Sequence, residues 1–400
     1  MWNLVIIGAG PAGLTAGIAA AENGVAVKVI DEFPRPGGRL LGQLHEEPNG
    51  EWWNGMKESE NLEQRAVSLG VEVECETSVY NLEKIETGWR IYTSNGIIDT
   101  VHLLLATGAS ETHIPLSGWT LPGVMSIGAA QVMGNVHRVK PGNTCIIIGA
   151  NVLSMAIANE LKLCGVDVKA IILPVTEQIE KEAGQPQEVL ASLMRLTHLA
   201  PSPLLKQLGK LGKRVPVSFA TKFYPSSGLK MNGIPIKLKT AVTEIIGEDV
   251  VEGVKTVKIN TAGEPVPGTE KMEAADVVCI SGGLTPMAEL ASVAGCSFKY
   301  VEALGGHIPV HNEKMETTLP DLYVSGNITG VESSKVAMAQ GEVAGLTIAS
   351  KVIGSSPALT ENIEHAVQNV EKVRAAALIQ FHPEIEKERK TLYQDYQQNA

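Results

Sequence analysis

The first 31 residues constrain the fold of this chain more than any other stretch. An apolar run, Leu4 to Ile7, meets Gly8-Ala9-Gly10-Pro11-Ala12-Gly13 without a spacer. An Ala-rich segment follows to Asn23-Gly24, then a second apolar run, residues 25–30, ends on Asp31. This is the pattern of a buried strand, a helix entered through a glycine turn, and a parallel second strand. In such a unit Gly8 makes the tight turn, Gly10 lets backbone approach a pyrophosphate, and Gly13 brings helix and strand close. The helix N-terminus offers N–H groups and a positive dipole end to phosphate. An acid at Asp31 suits a ribose 2′-hydroxyl and repels a 2′-phosphate. The segment is therefore expected to bind a dinucleotide, with Glu32 next to the ribose acid.

The outline recurs once. Residues 144–149 read as a strand, about 152–164 as a helix and 166–173 as a strand. In this second turn, IIIGANVLSMAIANEL, only Gly149 is kept; Asn151 and Ser154 stand where the later glycines belong. Asn151 puts a side chain where a pyrophosphate should approach. The following strand ends VKAIILP, without an acid or arginine for a nicotinamide cofactor's ribose. The helix N-terminus and the two polar side chains leave ATP, AMP, NAD(P) or no ligand as the alternatives for this site.

Between the two units, residues 71–106 alternate in short runs broken at Thr87-Gly88 and Asn95-Gly96, an antiparallel meander. Residues 174–216 read as a Pro-punctuated insertion, with a helix near ASLMRLTHL and a basic patch of Lys206, Lys210, Lys213 and Arg214 taken as a solvated face. Short strands are expected over 216–280, a helix over 332–354 with an Ala/Gly face, and a charged helical tail broken at His382-Pro383.

Composition excludes several classes. A net charge of −11 opposes a nucleic-acid partner. No apolar run approaches the ~18 residues of a membrane helix, and no secretory signal opens the chain, so a cytoplasmic location is expected. The five cysteines are dispersed, without Cys-x-x-Cys, and are expected to be inert buried thiols. The nine histidines supply no metal-ligand motif.

Further motifs carry a resemblance. Ala106-Thr107-Gly108 closes a strand; Leu322-Tyr323-Val324-Ser325-Gly326-Asn327 is a late strand followed by a helix; DEFPRPGGRLLGQ follows Asp31. Over about residues 1–350 this set resembles the two-dinucleotide-domain flavoproteins that include thioredoxin reductase and glutathione reductase. More closely, it resembles the FAD-binding large subunits of opine oxidase, hydrogen cyanide synthase and dye-linked L-proline dehydrogenase. The resemblance implies an α/β fold of two Rossmann-like domains with small antiparallel meanders. The FAD domain is discontinuous, residues 1–113 plus 287–350; residues 114–286 form the NAD(P)-like domain, and 351–400 a helical tail.

By the same resemblance FAD is held by Gly8, Gly10, Pro11, Ala12, Gly13, Asp31, Glu32, Gly38, Arg39, Ala106, Thr107, Gly108, Gly326, Asn327 and Ser334. Asn327 replaces the usual Asp, and its amide oxygen still accepts a ribitol hydroxyl. Glu332 to Lys335 would begin the helix at the flavin. The absent Cys-x-x-Cys excludes disulfide reduction.

The resemblance also implies a hetero-oligomer, in which a second, amine-oxidising flavoprotein subunit takes hydride from an amine or amino acid. This chain then passes electrons onward. No cysteine follows Cys296, so an iron–sulfur centre would lie on a separate small subunit or be missing. No catalytic acid or base can be named; His45 is expected to be structural, and Trp52 and Trp53 to pack in a core. The competing readings are a self-sufficient NAD(P)H-dependent flavin reductase of the ferredoxin-reductase type, and a non-catalytic nucleotide-binding subunit.

Overall fold

The computed structural model describes residues 1–47, 49–175, 183–195 and 216–399. In chain order its α-helices are α1 (Pro11–Glu22), α2 (Gly55–Ser68), α3 (Ile127–Asn135), α4 (Val152–Leu163), α5 (Pro186–Arg195), α6 (Val217–Phe223), α7 (Glu289–Val293), α8 (Ser334–Ile353), α9 (Pro357–Ala376) and α10 (Ile385–Asn399). The chain divides into two compact units. The first comprises Met1–Gln43, Asn54–Ser110 and Leu284–Ala400; the second comprises Leu44–Trp53 and Glu111–Gly283.

The first unit is built on a parallel core sheet. Trp2–Ile7 lies between Val27–Ile30 and Gly96–Leu105, with Leu4 opposite Val27 and Ile7 opposite Leu105. Glu72–Glu74 adds to one side, and Leu322–Val324 pairs parallel with Gly96–Leu105. The expected meander is present: Val79–Ile85, Gly88–Thr93 and Gly96–Leu105 pair antiparallel in succession. Strands buried on both faces read as unbroken apolar runs, which is why Leu4 to Ile7 carries no polar alternation.

One face of this sheet is covered by α1 and α8. The Ala/Gly face predicted for α8 has a plain steric purpose. A Cβ on Gly341 would lie 2.2 Å from the Ala12 carbonyl oxygen, and one on Gly345 would lie 2.3 Å from that of Ala16. The two helices therefore touch backbone to backbone. The C-terminal segment joins the same core, since Leu359, Ile363, Ala366 and Val370 of α9 pack into the cluster formed by α1 and α8.

The second unit repeats the plan. Its strands run Val124–Ser126, Val277–Ile280, Thr144–Ile148, Asp167–Pro174 and Ile234–Ile246 in parallel pairs, extended antiparallel by Gly253–Lys258 and Lys271–Ala274. Val217–Phe223, expected as a strand, is helical and tucks Tyr224 into the core, where its hydroxyl donates to the Ile236 carbonyl at 2.7 Å. The helix expected near residues 191–199 begins earlier, at Pro186. The Lys206, Lys210, Lys213 and Arg214 patch lies outside the described residues. Among those residues, no helix is long and apolar enough to cross a membrane.

Candidate functional site

In the first unit the chain gathers residues from five distant segments around the N-terminus of α1. Gly8 adopts φ +107°, and a Cβ there would lie 2.3 Å from the Ala106 carbonyl oxygen. The Ala106-Thr107-Gly108 strand end therefore sits directly against the turn. Gly13 is packed as tightly, its hypothetical Cβ 1.9 Å from the Gly8 carbonyl oxygen. Gly10 differs from both: a Cβ there meets nothing within 4 Å. It faces open space at the mouth of a helix that no side chain caps. The first N–H groups of a helix have no partner within it, so this end is left with donors to offer.

Asp31 organises the turn. Its carboxylate accepts from Ala9 N at 2.6 Å and from Phe33 N at 2.8 Å. Burial pushes the Asp31 carboxyl up, against the two backbone donors that pull it down. Two N–H bonds leave lone pairs on both oxygens for further donors. Glu32 beside it is exposed. The Pro-Gly-Gly loop folds onto the same turn: Gly37 N donates to the Ala9 carbonyl at 2.8 Å, and Gly38 faces the Gly10 Cα. Arg39 donates to the Ala109 carbonyl at 3.3 Å, and Thr107 to that of Met287 at 2.5 Å.

The late motif closes the site from the other side. Gly326 lies against Ala12 of α1, and its N–H donates to Gln340 Oε1 at 3.1 Å. Asn327 Oδ1 accepts from Glu332 N at 3.2 Å. Ser334 Oγ donates to Gln43 Oε1 at 3.1 Å. The Ser325 hydroxyl and Gln340 Nε2 are buried without partners. Orphaned donors next to an open helix mouth are what a chain that binds a polar cofactor leaves behind, and the donor set suits a pyrophosphate and a ribose hydroxyl. Gln340 carried no signal in the sequence, because it lies in mid-helix among apolar residues.

The corresponding point in the second unit is built otherwise. Gly149 repeats Gly8, with φ +103° and a hypothetical Cβ 2.1 Å from the Ser281 carbonyl oxygen. Asn151 and Ser154, expected to add ligand-binding groups to an open anion site, are spent on each other. Asn151 Oδ1 accepts from Leu153 N and Ser154 N, both at 3.0 Å, while Ser154 Oγ accepts from Asn151 N at 2.9 Å. This is a capping box, and it consumes the donors a phosphate would use. Asn151 Nδ2 also donates to the Ser281 carbonyl at 2.9 Å, and the Ser281 hydroxyl to Asn151 Oδ1 at 3.1 Å.

Other expectations are revised. Trp52, expected in a core, is 54% exposed; Trp53 is half-buried and stacks on His45 with ring centroids 6.2 Å apart. Cys145, Cys279 and Cys296 are buried, whereas Cys75 and Cys164 are partly exposed; all five are free thiols. Glu332 does not open α8. Ser333 caps that helix, and Glu332 is buried against two arginines of the C-terminal helices.

Two Rossmann-like units, one bearing an open dinucleotide turn with its ribose acid, define a flavoprotein oxidoreductase. The family model described as pyridine nucleotide-disulphide oxidoreductase matches residues 2–341, and the chain belongs to that family as an FAD-dependent oxidoreductase. The larger, A-type component of opine oxidase from Agrobacterium tumefaciens (strain Ach5) is 26% identical over 361 residues, 86% of this chain and 65% of that protein. The chain thus spans about two thirds of that relative's length. The HcnB component of hydrogen cyanide synthase from Pseudomonas aeruginosa is 26% identical over 382 residues, 93% of this chain and 75% of that protein. The crystal structure of L-proline dehydrogenase from P. horikoshii shares the fold, with a TM-score of 0.63 at 17% identity, covering 91% of this chain and 58% of that one.

Proposed function

We propose that this chain is the FAD-binding, electron-transferring subunit of a heteromeric dehydrogenase or oxidase acting on amines or amino acids of the proline, hydroxyproline or opine type. The observation that carries this choice is the self-capped α4. A nicotinamide dinucleotide bound in the usual way needs the N–H groups that Asn151 Oδ1 already holds. Electrons then reach the chain from an amine-oxidising flavoprotein partner, and leave by way of a small iron–sulfur subunit. Support comes from relatives named as subunits of opine oxidase and hydrogen cyanide synthase. It comes also from the lack, among the described residues, of a convergent acid–base group that would mark amine chemistry on this chain itself.

In this reading FAD lies in the first unit. The α1 N-terminus with Gly10, Pro11, Ala12 and Gly13 receives the pyrophosphate, and Asp31 with Glu32 receives the adenosine ribose. Gly38, Arg39, Ala106, Thr107 and Gly108 border the cofactor, while Gly326, Asn327 and Ser334 take its flavin end. Bound FAD supplies redox capacity, accepting two electrons and releasing them onward. The chain's residues bind and orient the cofactor and bias its charge.

The test is anaerobic mixing of the FAD-loaded chain with NADH and with NADPH, following flavin absorbance. Flavin that stays oxidised, yet bleaches with proline or an opine once the partner is added, is the expected result. Rapid bleaching by NADPH with the chain alone overturns the proposal in favour of a self-sufficient reductase.

A further inference from the structure

The C-terminal helices place two guanidiniums on one buried carboxylate beside the late motif. Glu332, Arg374 and Arg389 are 7%, 7% and 1% exposed. Arg374 of α9 donates through Nε to Glu332 Oε1 at 2.6 Å and through Nη2 to Oε2 at 3.1 Å. Arg389 of α10 donates through Nε to Oε2 at 2.8 Å, and its Nη1 reaches Thr329 Oγ1 at 3.3 Å. Gly330 makes room for it: a Cβ there would lie 2.9 Å from Leu304 Cδ2 and 3.1 Å from Arg389 Nη2. Thr329 Oγ1 in turn donates to the Gly326 carbonyl at 2.8 Å, and the Glu332 N–H bonds Asn327 Oδ1. Every residue from Gly326 to Glu332 that carries a polar side chain is therefore tied, directly or through one bond, to this cluster.

The charges do not cancel inside the protein. Two cations face one buried anion, and the second carboxylate, Glu371, stands at the rim with 44% side-chain exposure and pairs only with Arg374. His311 and Tyr393 also face Arg389, but neither adds charge. Burial pushes the His311 imidazole down to about 3 and the Tyr393 phenol up, so both are neutral near pH 7. Burial raises the Glu332 carboxyl, yet the two guanidiniums outweigh it and hold the group below its ordinary range, ionised. One uncompensated positive charge remains where water screens it poorly.

We propose that Arg374 and Arg389 are positioning residues that act through Glu332 on the flavin end of the site, and that their excess positive charge makes bound FAD easier to reduce. This rests on the placement of FAD given above. Helices α9 and α10 are then part of the redox site.

The experiment is an equilibrium titration of the FAD-loaded chain against a reference dye for the wild type, Arg389→Gln, Arg374→Gln, Glu332→Gln and Arg389→Lys. Removing one cation should move the equilibrium toward oxidised FAD, and removing the anion toward reduced FAD, each on the order of fivefold to tenfold. Arg389→Lys, which keeps the charge, should stay near wild type. Loosening of the loop alone would shift all the glutamine variants in one direction, so opposite signs support the inference, and equal signs or no shift overturn it. Should Arg389→Gln fail to fold, Arg374→Gln against Glu332→Gln carries the same sign test. A wild-type chain that binds no FAD overturns the site assignment beneath it; FAD bound without a sign difference overturns this inference alone.

Discussion

The three glycines of the first turn should fail in different ways, and Gly10 separates cofactor binding from folding. Gly10 has φ −73° and ψ −177°, values any L-residue adopts, and its hypothetical Cβ meets nothing within 4 Å. Gly10→Ala therefore introduces no clash. Reduced unfolded-chain entropy contributes about 0.4–1 kcal/mol of stability, offset by a comparable loss because Ala is a poorer N-cap than Gly. The apoprotein should melt within about 3 °C of wild type. The same methyl stands where the pyrophosphate approaches the backbone, and displacing that contact by even a few tenths of an ångström weakens several charge-assisted bonds. A loss of about 2–3 kcal/mol, some 30- to 150-fold in Kd, is expected. Gly8→Ala and Gly13→Ala should instead destabilise the apoprotein, because their Cβ atoms would lie 2.3 Å and 1.9 Å from backbone carbonyl oxygens. Calorimetry of the apoproteins and fluorescence titration with FAD read the two effects separately. Gly10→Ala that binds FAD within about threefold of wild type, or an apoprotein that does not fold, refutes the reasoning.

The remaining expectations can be checked on the same protein. Glu160 is buried and accepts from Gln131 Nε2 at 2.9 Å, from Asn135 Nδ2 at 2.5 Å and from Leu44 N; burial outweighs these donors and lifts its carboxyl from 4.5 to about 7. A raised carboxyl stabilises the fold fully below its unfolded value and loses that contribution as pH rises through about 7. Glu160→Gln should therefore lack this slope and gain roughly 2–4 kcal/mol over wild type above neutrality, in melting curves from acid to pH 8. Wild type and variant with parallel pH profiles would contradict it. Asn151→Ala strips the α4 cap and leaves the Ser281 carbonyl unpaired, a loss of about 1–3 kcal/mol in urea unfolding. The Asn151→Gly, Ser154→Gly double variant frees the helix donors, so pyrophosphate should raise its melting temperature but not that of wild type; an equal response in both removes the cap as the obstacle. Gly345→Val drives side-chain atoms into the α1 backbone and should cost about 1–3 kcal/mol or prevent folding, whereas an unchanged melting temperature would refute the close packing of α1 and α8.

What could be read from the sequence was local. Leu4 to Ile7, Gly8, the Ala-rich helix and Asp31 lie within one βαβ unit, and periodicity and turn chemistry act over that range. The repeat at Gly149, the meander at 79–105 and the α8 glycine face were legible for the same reason. Val217–Phe223 was not, because a seven-residue helix has too few turns to display its period and depends on tertiary packing to form. Nor was the exposure of Trp52, since aromatic identity does not state which side of a hairpin a ring takes. Asn151 and Ser154 were seen as departures from a glycine motif, but that they bond each other instead of a ligand is a matter of rotamer and backbone geometry. The arginines that hold Glu332 lie 42 and 57 residues further along the chain, in helices whose charged residues read as solvent-facing. Burial of an ion pair across such a separation leaves no pattern in either segment, because the pairing is decided by where α9 and α10 pack and not by local preference. The turn that suits a dinucleotide is thus written in consecutive residues, while the closure of one helix mouth and the charge set behind Asn327 are decided only when distant segments meet.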